Sequence, residues 1–408
     1  MVKTQAKTAK KIQSHQTKSL LQSWLVKSIL FPFIVTRTLL VFIGYLAPYF
    51  IPLSYNPDVN IANRGWLFSS HRLIDMWARW DSGWYLTIIN EGYRVVENIY
   101  NMSNLAFFPG YPLLVKGLLL LVPSAWQTTA VIIGLGVVVS NLLLIGSLIL
   151  LFKLTQLIFK NTQAAQTAVW LMLVFPSSFF LSAFYTESTF LFFSLLTLWL
   201  AKKKQWAWAS LAAAMTGITR SVGLLIALPL LGEYLATKKW QLKKINWSIL
   251  WLTLVPMGVL LFFGYLYFLT GDFLAAIKVQ NAWGRQISNP WLSFFKPTAV
   301  WPLITDLDRL AMASVLLSSL GLIFHKIKGL WSLGLYSILL IIPTLFTGTL
   351  DSATRYAMVI FPVFSYWGAS LNKQTKSHNQ LLKTLLLAGL MILQLILFTR
   401  YSQFYWAG

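Results

Sequence analysis

Long apolar runs recur along the chain and restrict its fold more than any other feature. A helix of about twenty apolar residues crosses a hydrocarbon core of about 30 Å. Only 11% of the 408 residues are charged, against roughly a quarter in soluble domains, so we predict an all-α polytopic membrane protein. The main runs are Ser28–Phe50, Thr128–Phe152, Ala165–Phe184, Trp247–Leu269, Ala311–Phe324, Trp331–Phe346 and Leu381–Phe398.

The distribution of lysines predicts how these runs are threaded through the membrane. Six lysines and no acid precede the first run, so the positive-inside rule places the basic N-terminal segment 1–27 in the cytoplasm. The first run is longer than a signal peptide and lacks a small-residue cleavage site, which predicts a retained span. Placing the later lysine clusters on the same side gives about eleven helices in a single transmembrane domain, 28–408, with its C-terminus outside.

Two parts of the chain fit ordinary spans poorly. Pro109 and Pro112 interrupt Leu105–Val122, and Pro123 follows it. We predict a re-entrant or interfacial helix there, because such breaks are tolerated where the backbone lines a cavity. The apolar stretches Trp206–Thr219 and Ser221–Ala236 are short and meet at Arg220. The threading places Arg220 at the outer end of both.

The arginines and acids are not used for this threading, yet they fall almost entirely on one side. Nine of the ten arginines and ten of the eleven acids lie on the predicted outer side. A planar guanidinium group suits phosphate better than a lysine ammonium group does. The outer arginines and acids therefore predict an extracytoplasmic site. The net charge of +22 reflects mainly lysines that anchor the chain in the membrane, so we expect no nucleic-acid partner.

The predicted outer loop 51–104 is the longest polar stretch and holds five of the eleven acids. Loops beyond about fifteen residues are usually functional or disordered. Its centre, Met76–Tyr93, has Trp and Tyr at near-helical spacing and predicts an interfacial amphipathic helix. Asp81 lies in this helix, where its carboxylate could accept a proton from a hydroxyl group. The residues alone leave other interpretations open: the aromatic residues anchor the chain, and Asp81 caps a helix or pairs with Arg79.

The segment Arg79–Tyr93, RWDSGWYLTIINEGY, resembles the first large lumenal loop of the PIG-V family of mannosyltransferases. Four further blocks resemble the family in the same order: Ala106–Leu113, Phe175–Ser188, Thr216–Gly223 and Thr354–Pro362. The resemblance covers most of the chain. It implies a GT-C-type glycosyltransferase fold and a large first extracytoplasmic loop that carries the active site. It also implies inverting sugar transfer outside the cytoplasm from a polyprenyl-phosphate donor, which is dolichyl-phosphate mannose in the eukaryotic members.

This chemistry assigns roles to residues in the matching blocks. Inverting transfer from a lipid phosphate needs a base for the acceptor hydroxyl and positive charge for the departing phosphate. The resemblance implies that Asp81 is the base and that Arg220 and Arg355 bind the phosphate. Further candidates for substrate contact are Arg79, Trp80, Arg94, Glu187 and Tyr356.

Each of the charged candidates also has a purely structural interpretation. Arg220 could snorkel at a helix terminus, and Arg355 could form an ion pair with Asp351. Glu187 could interact with the N-terminus of its own helix. A further charged group, Asp306 with Asp308 and Arg309, is expected to be a local ion-pair cluster.

No metal site or cofactor is expected beyond the donor itself. The chain has no cysteine, and its four histidines are scattered. The expected partners are the lipid-linked donor, a lipid or glycan acceptor and membrane lipids, in the plasma membrane of a prokaryote or the endoplasmic reticulum of a eukaryote. Two other functions stay open: a GT-C transferase of another polyprenyl-linked sugar, or a lipid or sugar transporter, although transporters tend to show repeated halves.

Overall fold

The computed structural model describes residues 24–54, 68–95, 102–296, 301–327, 329–372 and 377–407, without the side chains of residues 377–379. Within these ranges the regular elements are helices, and no strand occurs. Most of the predicted cytoplasmic segment 1–27 lies outside the described residues. The same holds for residues 55–67 and 96–101 of the predicted outer loop and for Lys328, Lys373 and Lys376.

In the described part of the first 240 residues, nine α-helices follow one another. They are α1 Val26–Phe50, α2 Arg72–Asp75, α3 Ser82–Glu91, α4 Gly110–Leu119, α5 Thr129–Phe159, α6 Thr162–Val174, α7 Glu187–Lys202, α8 Trp206–Thr219 and α9 Ala227–Thr237. The first turn of α1 is a π-helix. Short 3-10 helices occupy several of the connections, among them Asn104–Ala106, Ser178–Leu181 and Ser221–Ile226.

Eight more α-helices are described after residue 240. They are α10 Met257–Thr270, α11 Ala275–Lys278, α12 Pro290–Phe295, α13 Pro302–Ile323, α14 Leu330–Leu345, α15 Ala353–Met358, α16 Phe361–Leu371 and α17 Ser377–Ser402. The 3-10 helix Trp247–Leu254 precedes α10, and the 3-10 helix Val279–Trp283 follows α11.

The all-helical prediction is confirmed for the described residues, but the predicted number of about eleven spans is not. Three helices are long and apolar enough to cross a membrane: α1, α5 and Gln380–Ser402 of α17. A fourth arises if Trp247–Leu254 and α10, which are bent by 41°, form one span. α13 has 22 residues, but three charged side chains in its first half interrupt the apolar stretch.

One predicted run, Ala165–Phe184, is broken at a proline in its middle. Ala165–Phe184 is not a single helix, because α6 ends at Val174, just before the dipeptide Phe175–Pro176. The residue before a proline is disfavoured in the α region, and Phe175 is extended, with φ −57° and ψ 139°. The chain then forms the 3-10 helix Ser178–Leu181 before α7 begins.

Arg37, the arginine that the threading leaves within a span, binds the backbone freed by this break. Its guanidinium donates to the carbonyl oxygens of Leu173 at 2.9 Å and Ser178 at 3.0 Å. Gln394 of α17 donates to the Leu173 and Phe175 carbonyl oxygens at 3.1 and 3.0 Å. Buried carbonyl groups need such partners, so α1 and α17 together stabilise the irregular segment that leads to α7.

The bundle packs around α5, which contacts α4, α6 and α7. Two other helix pairs approach closely through glycines. A Cβ atom on Gly258 of α10 would lie 2.0 Å from the carbonyl oxygen of Ala214 in α8. One on Gly368 of α16 would lie 2.3 Å from the carbonyl oxygen of Ala164 in α6. Larger residues at these glycines would force the helices apart, because protein interiors are close-packed.

The bundle has two chemically different ends. At one end, Lys202 at the C-terminus of α7 pairs with Glu233 of α9 at 2.7 Å, and the clusters Lys202–Lys204 and Lys238–Lys244 follow these helices. At the other end, α1 and α17 finish together, since the Ser54 amide donates to the carbonyl oxygen of Gln403 at 2.9 Å. This second end, where α7 begins and α8 stops, is called the site end below.

Candidate active site

The turn 77–81 before α3 is held by hydrogen bonds to the segment that leads into α7. The amide of Phe184 donates to the carbonyl oxygen of Trp77 at 2.9 Å. The amide of Asp81 donates to the hydroxyl oxygen of Tyr185 at 3.2 Å. Because Glu187 follows Tyr185 by two residues, these bonds bring Asp81 near the start of α7.

The segment Met76–Tyr93 is not the predicted interfacial helix. Only the α3 part is a regular helix, and Trp77, Trp84 and Tyr85 are buried within the protein. The Tyr85 ring lies 5.4 Å from that of Phe107, edge to face. Tyr85 also packs on Tyr111 of α4 at 5.9 Å, and Trp77 packs on Phe398 of α17 at 4.8 Å, so these side chains form part of the core under the site.

Asp81 forms an ion pair with Arg355, a residue of α15. The Arg355 Nη1 atom donates to Oδ2 of Asp81 at 2.9 Å. Asp81 occupies the N-cap position of α3, but its side chain makes no capping hydrogen bond there. Its side chain is 21% exposed, and Oδ1 has no hydrogen-bond partner among the described residues. Neither the capping role nor a pair with Arg79 is found, and Arg355 does not pair with Asp351.

Glu187, the first residue of α7, lies beneath two arginines. Its Oε1 atom accepts a hydrogen bond from Nη2 of Arg220 and lies 3.5 Å from Nε of Arg355. The Glu187 side chain is 0% exposed, and its Oε2 atom has no hydrogen-bond partner among the described residues. Glu187 therefore contacts the two guanidinium groups from the protein side, and direct contact with a sugar would require its exposure.

Arg220 is held where α8 ends and the chain becomes extended, with φ −154°. Besides its ion pair with Glu187, its Nε atom donates to the Thr186 hydroxyl at 3.1 Å. The predicted meeting of two short helices at Arg220 is confirmed by the bounds of α8 and the 3-10 helix Ser221–Ile226. With two fixed partners, Arg220 is not a snorkelling side chain.

Tyr356 is surrounded by guanidinium groups. The guanidinium carbons of Arg220, Arg285 and Arg355 lie 5.8, 5.8 and 5.4 Å from the centre of its ring. Arg285 also donates to the Tyr356 hydroxyl oxygen and to Gln280. Burial raises the pKa of the Tyr356 phenol, but the three guanidinium groups outweigh burial, and the pKa lies below its ordinary value.

Arg285 is a site-end residue that the sequence did not single out. It lies in the irregular segment after Val279–Trp283, outside every block that resembles the family. The aromatic ring of Trp283 packs 5.9 Å from Trp84 of α3, which fixes this segment against the turn at Asp81. The sequence offered only one sign of its role, which is that Arg285 is one of the nine arginines on the predicted outer side.

Arg79 and Trp80 take positions that differ from the expected substrate contacts. Arg79 is buried, pairs with Asp75 at 2.7 Å and donates to the carbonyl oxygen of Ser402 at 2.8 Å. Its guanidinium thus joins the turn to the end of α17. Trp80 packs edge to face on Trp406 at 5.1 Å. Its backbone has a positive φ of 54°, a strained conformation of the kind that clusters at functional sites.

The remaining charged candidates lie apart from the cluster around Tyr356. Arg94 forms an exposed ion pair with Glu91 at 3.2 Å. The expected cluster on α13 is split, because Arg309 pairs with Asp306 at 3.2 Å whereas Asp308 turns inward. Its Oδ1 atom accepts from both the amide and the hydroxyl of Thr354 at 2.7 Å.

The inward-turned Asp308 fixes the helix that carries Arg355. It binds the amide of the residue just before Arg355, near the start of α15, and an acid at a helix start is favourable. The α15 helix has only six residues. Its orientation therefore depends on this contact.

The arrangement combines the carboxylate of Asp81 with a cluster of guanidinium groups around Tyr356. By formal charge, three guanidinium groups face two carboxyl groups, which leaves a positive excess that suits a phosphate. Arg355 connects both parts, since it contacts Asp81 and lies over the Tyr356 ring. Within the described residues, no three His, Asp or Glu side chains lie close enough to hold a metal ion.

Comparisons with known proteins agree on one family and one fold class. Residues 26–237 match the family model of the mannosyltransferase PIG-V. GPI mannosyltransferase 2 of Drosophila pseudoobscura pseudoobscura is 31% identical over 225 residues, which is 50% of this chain and 46% of the relative. The chain thus aligns with about half the length of this curated relative.

A solved structure shares the overall fold. It is that of ArnT from Cupriavidus metallidurans bound to undecaprenyl phosphate, with a TM-score of 0.53 and 12% identity over 87% of this chain and 62% of ArnT. At this identity the similarity supports the fold alone, which is that of the GT-C class. The family match spans more than half of the chain and contains Asp81, Glu187 and Arg220. The chain therefore belongs to the PIG-V mannosyltransferase family.

Proposed function

We propose that this protein is an integral membrane glycosyltransferase that moves mannose from a polyprenyl-phosphate donor to a lipid-linked or glycan acceptor. Membership of the PIG-V family and the GPI mannosyltransferase 2 relative support the mannosyl part of the proposal. The phosphate class of the donor is supported by the arginines around Tyr356. The undecaprenyl phosphate in the ArnT structure is consistent with a polyprenyl carrier.

The pairing of Asp81 with Arg355 carries this proposal. In the proposed reaction, the Oδ1 atom of Asp81, which is not the atom bound by Arg355, takes the proton of the acceptor hydroxyl. The acceptor oxygen forms a bond to the anomeric carbon as the bond from that carbon to the phosphate oxygen breaks, with inversion. The departing phosphate keeps the electron pair, and the guanidinium groups of Arg220, Arg285 and Arg355 stabilise its charge.

The proposed site faces away from the cytoplasm. The lysine clusters after α7 and α9 lie at the opposite end of the bundle from Asp81, and lysine-rich loops stay in the cytoplasm. This supports an extracytoplasmic reaction, in the plasma membrane of a prokaryote or the endoplasmic reticulum of a eukaryote.

A transfer assay with matched donors tests the function. Membranes containing wild type or Asp81→Asn receive polyprenyl-phosphate mannose or polyprenyl-phosphate glucose, radiolabelled in the sugar, together with lipid extract as acceptor. We expect mannose transfer by the wild type and loss of it in Asp81→Asn, with Asp351→Asn as a nearby control acid. Transfer from the glucose donor alone would overturn the choice of sugar, and full activity of Asp81→Asn would overturn the site.

A further inference from the structure

An apolar groove lies between α1 and α17, apart from the cluster around Tyr356. Its volume is about 400 Å³, and its walls include Ile43 and Phe50 of α1 and Ile392, Leu395 and Ile396 of α17. It extends to Arg400, eight residues beyond Ile392, which is about 12 Å along a helix at 1.5 Å per residue. The groove therefore runs along one side of the bundle and finishes at the site end.

Arg400 has no acceptor for its guanidinium group among the described residues. Its Nε atom is buried and makes no hydrogen bond. The other described site-end arginines all have acceptors, such as Asp75 for Arg79 and Asp306 for Arg309. A buried donor without an acceptor is costly, so an anionic ligand at the end of the groove would supply what the protein lacks.

Two aromatic rings hold this guanidinium group in place. Its central carbon lies 4.1 Å from the ring centre of Trp301 and 4.8 Å from that of Tyr405. Trp and Tyr are enriched at the depth of lipid headgroups, and Ile392 and Ile396 are exposed on the side of the bundle. Arg400 thus lies where a lipid phosphate would lie, with the apolar groove beneath it.

We propose that the groove binds one acyl chain of an anionic phospholipid and that Arg400 binds the phosphate of its headgroup. A length of about 12 Å matches one leaflet of a hydrocarbon core of about 30 Å, which favours a phospholipid over a longer polyprenyl chain. The guanidinium would form charge-assisted hydrogen bonds to the phosphate oxygens. This inference does not depend on the proposed transferase activity.

Photocrosslinking in vesicles tests the occupant directly. The full chain is reconstituted in phosphatidylcholine vesicles that contain phosphatidylglycerol with a diazirine in its acyl chain, or phosphatidylcholine with the same diazirine. After illumination, mass spectrometry locates the labelled peptides. We expect the peptides 43–51 and 392–400 to be labelled about fivefold more by phosphatidylglycerol. Both lipids carry a phosphate, but the choline cation of phosphatidylcholine offsets its charge and repels Arg400.

Three variants separate this site from general surface binding. Arg400→Gln should reduce the phosphatidylglycerol label to the phosphatidylcholine level, while Arg309→Gln, which removes another site-end arginine, should not. Ile396→Trp should abolish the label by filling the groove without changing charge. Equal labelling by both lipids, or wild-type labelling of Arg400→Gln or Ile396→Trp, overturns the proposal.

A competition experiment tests the other possible occupant. If farnesyl phosphate displaces the label at a lower concentration than unlabelled phosphatidylglycerol does, the groove binds polyprenyl phosphates, and the proposal is also overturned.

Discussion

The Arg355 guanidinium donates to the Asp81 carboxylate across 2.9 Å, although 274 positions separate the two residues in the chain. The contact joins the turn before α3 to the short helix α15. Burial disfavours the charge on Arg355, but Asp81 and Tyr356 more than offset this and raise its pKa well above the ordinary value. Arg355 thus stays cationic at physiological pH, beside the proposed base and within the proposed phosphate site.

Replacing Asp81 with Asn should separate catalysis from folding. The amide keeps the size of the side chain and can still accept a hydrogen bond from Arg355, but it cannot take a proton from the acceptor. Transfer should fall about a hundredfold or more, the usual range for loss of a general base, while donor binding survives. Sugar transfer and folded yield, measured in parallel, check this. Near-normal activity in a well-expressed variant would remove Asp81 from the base role.

Arg220→Lys and Arg355→Lys should both weaken donor use although the charge is kept. Arg220 contacts Glu187 and Thr186 at once, and an ammonium group cannot reproduce that forked geometry. The loss of one charged hydrogen bond corresponds to about a tenfold effect or more. Initial rates at several donor concentrations, with Arg94→Lys as the control at an exposed ion pair, measure it. Wild-type kinetics for both variants would contradict the phosphate role.

The sequence was informative about the site wherever a residue stands in a block that resembles the family. Asp81, Glu187, Arg220 and Arg355 lie in four such blocks, and the fold brings their side chains together. The junction at Arg220 was predictable for a simpler reason, since two short apolar stretches meet there. Local pattern and family resemblance agree at these positions.

Other features depend on tertiary contacts that no local pattern encodes. Arg285 reaches Tyr356 from an irregular segment 71 positions away. The aromatic residues of α3 have the composition of a membrane anchor, but they are buried because Tyr111 of α4 and Trp283 pack against them. Arg79 is close to Asp81 in the sequence and resembles a site residue, yet its guanidinium binds the carbonyl oxygen of Ser402 at the end of α17.

Glu187→Ala should destabilise the protein as well as inactivate it. The fully buried carboxylate holds two guanidinium groups, and its removal leaves buried positive charge without a partner. Breaking a buried pair in this way costs about 3–5 kcal/mol, whereas Glu91→Ala, at an exposed pair with Arg94, should cost about 1 kcal/mol or less. Thermal unfolding of the two variants in the same detergent compares them. Equal stability would mean that Glu187 does not hold the arginines in place.

The phenol of Tyr356 should ionise below the ordinary tyrosine pKa of about 10. Its pKa is lowered in the folded protein, so any stability gained from ionisation is present above pH 10 and is lost as the pH falls through the lowered value. The difference in phenolate absorbance between wild type and Tyr356→Phe isolates this titration. Arg285→Gln should shift the titration to higher pH, because it removes the largest of the favourable guanidinium contributions. An unchanged titration would show that Arg285 does not act on the phenol.

The two ends of the bundle should react from opposite sides of the membrane. The chain has no cysteine, so single cysteines at the exposed positions Asn90 and Gln205 report unambiguously. Asn90 lies in α3 near the site, and Gln205 follows the lysine cluster after α7. In sealed right-side-out vesicles, an impermeant maleimide should label Asn90→Cys at once and Gln205→Cys only after permeabilisation, because lysine-rich loops remain cytoplasmic. The reverse order would place Asp81 on the cytoplasmic side and would exclude an extracytoplasmic reaction. Labelling of both cysteines in sealed vesicles would mean that the two ends of the bundle do not lie on opposite sides of a membrane.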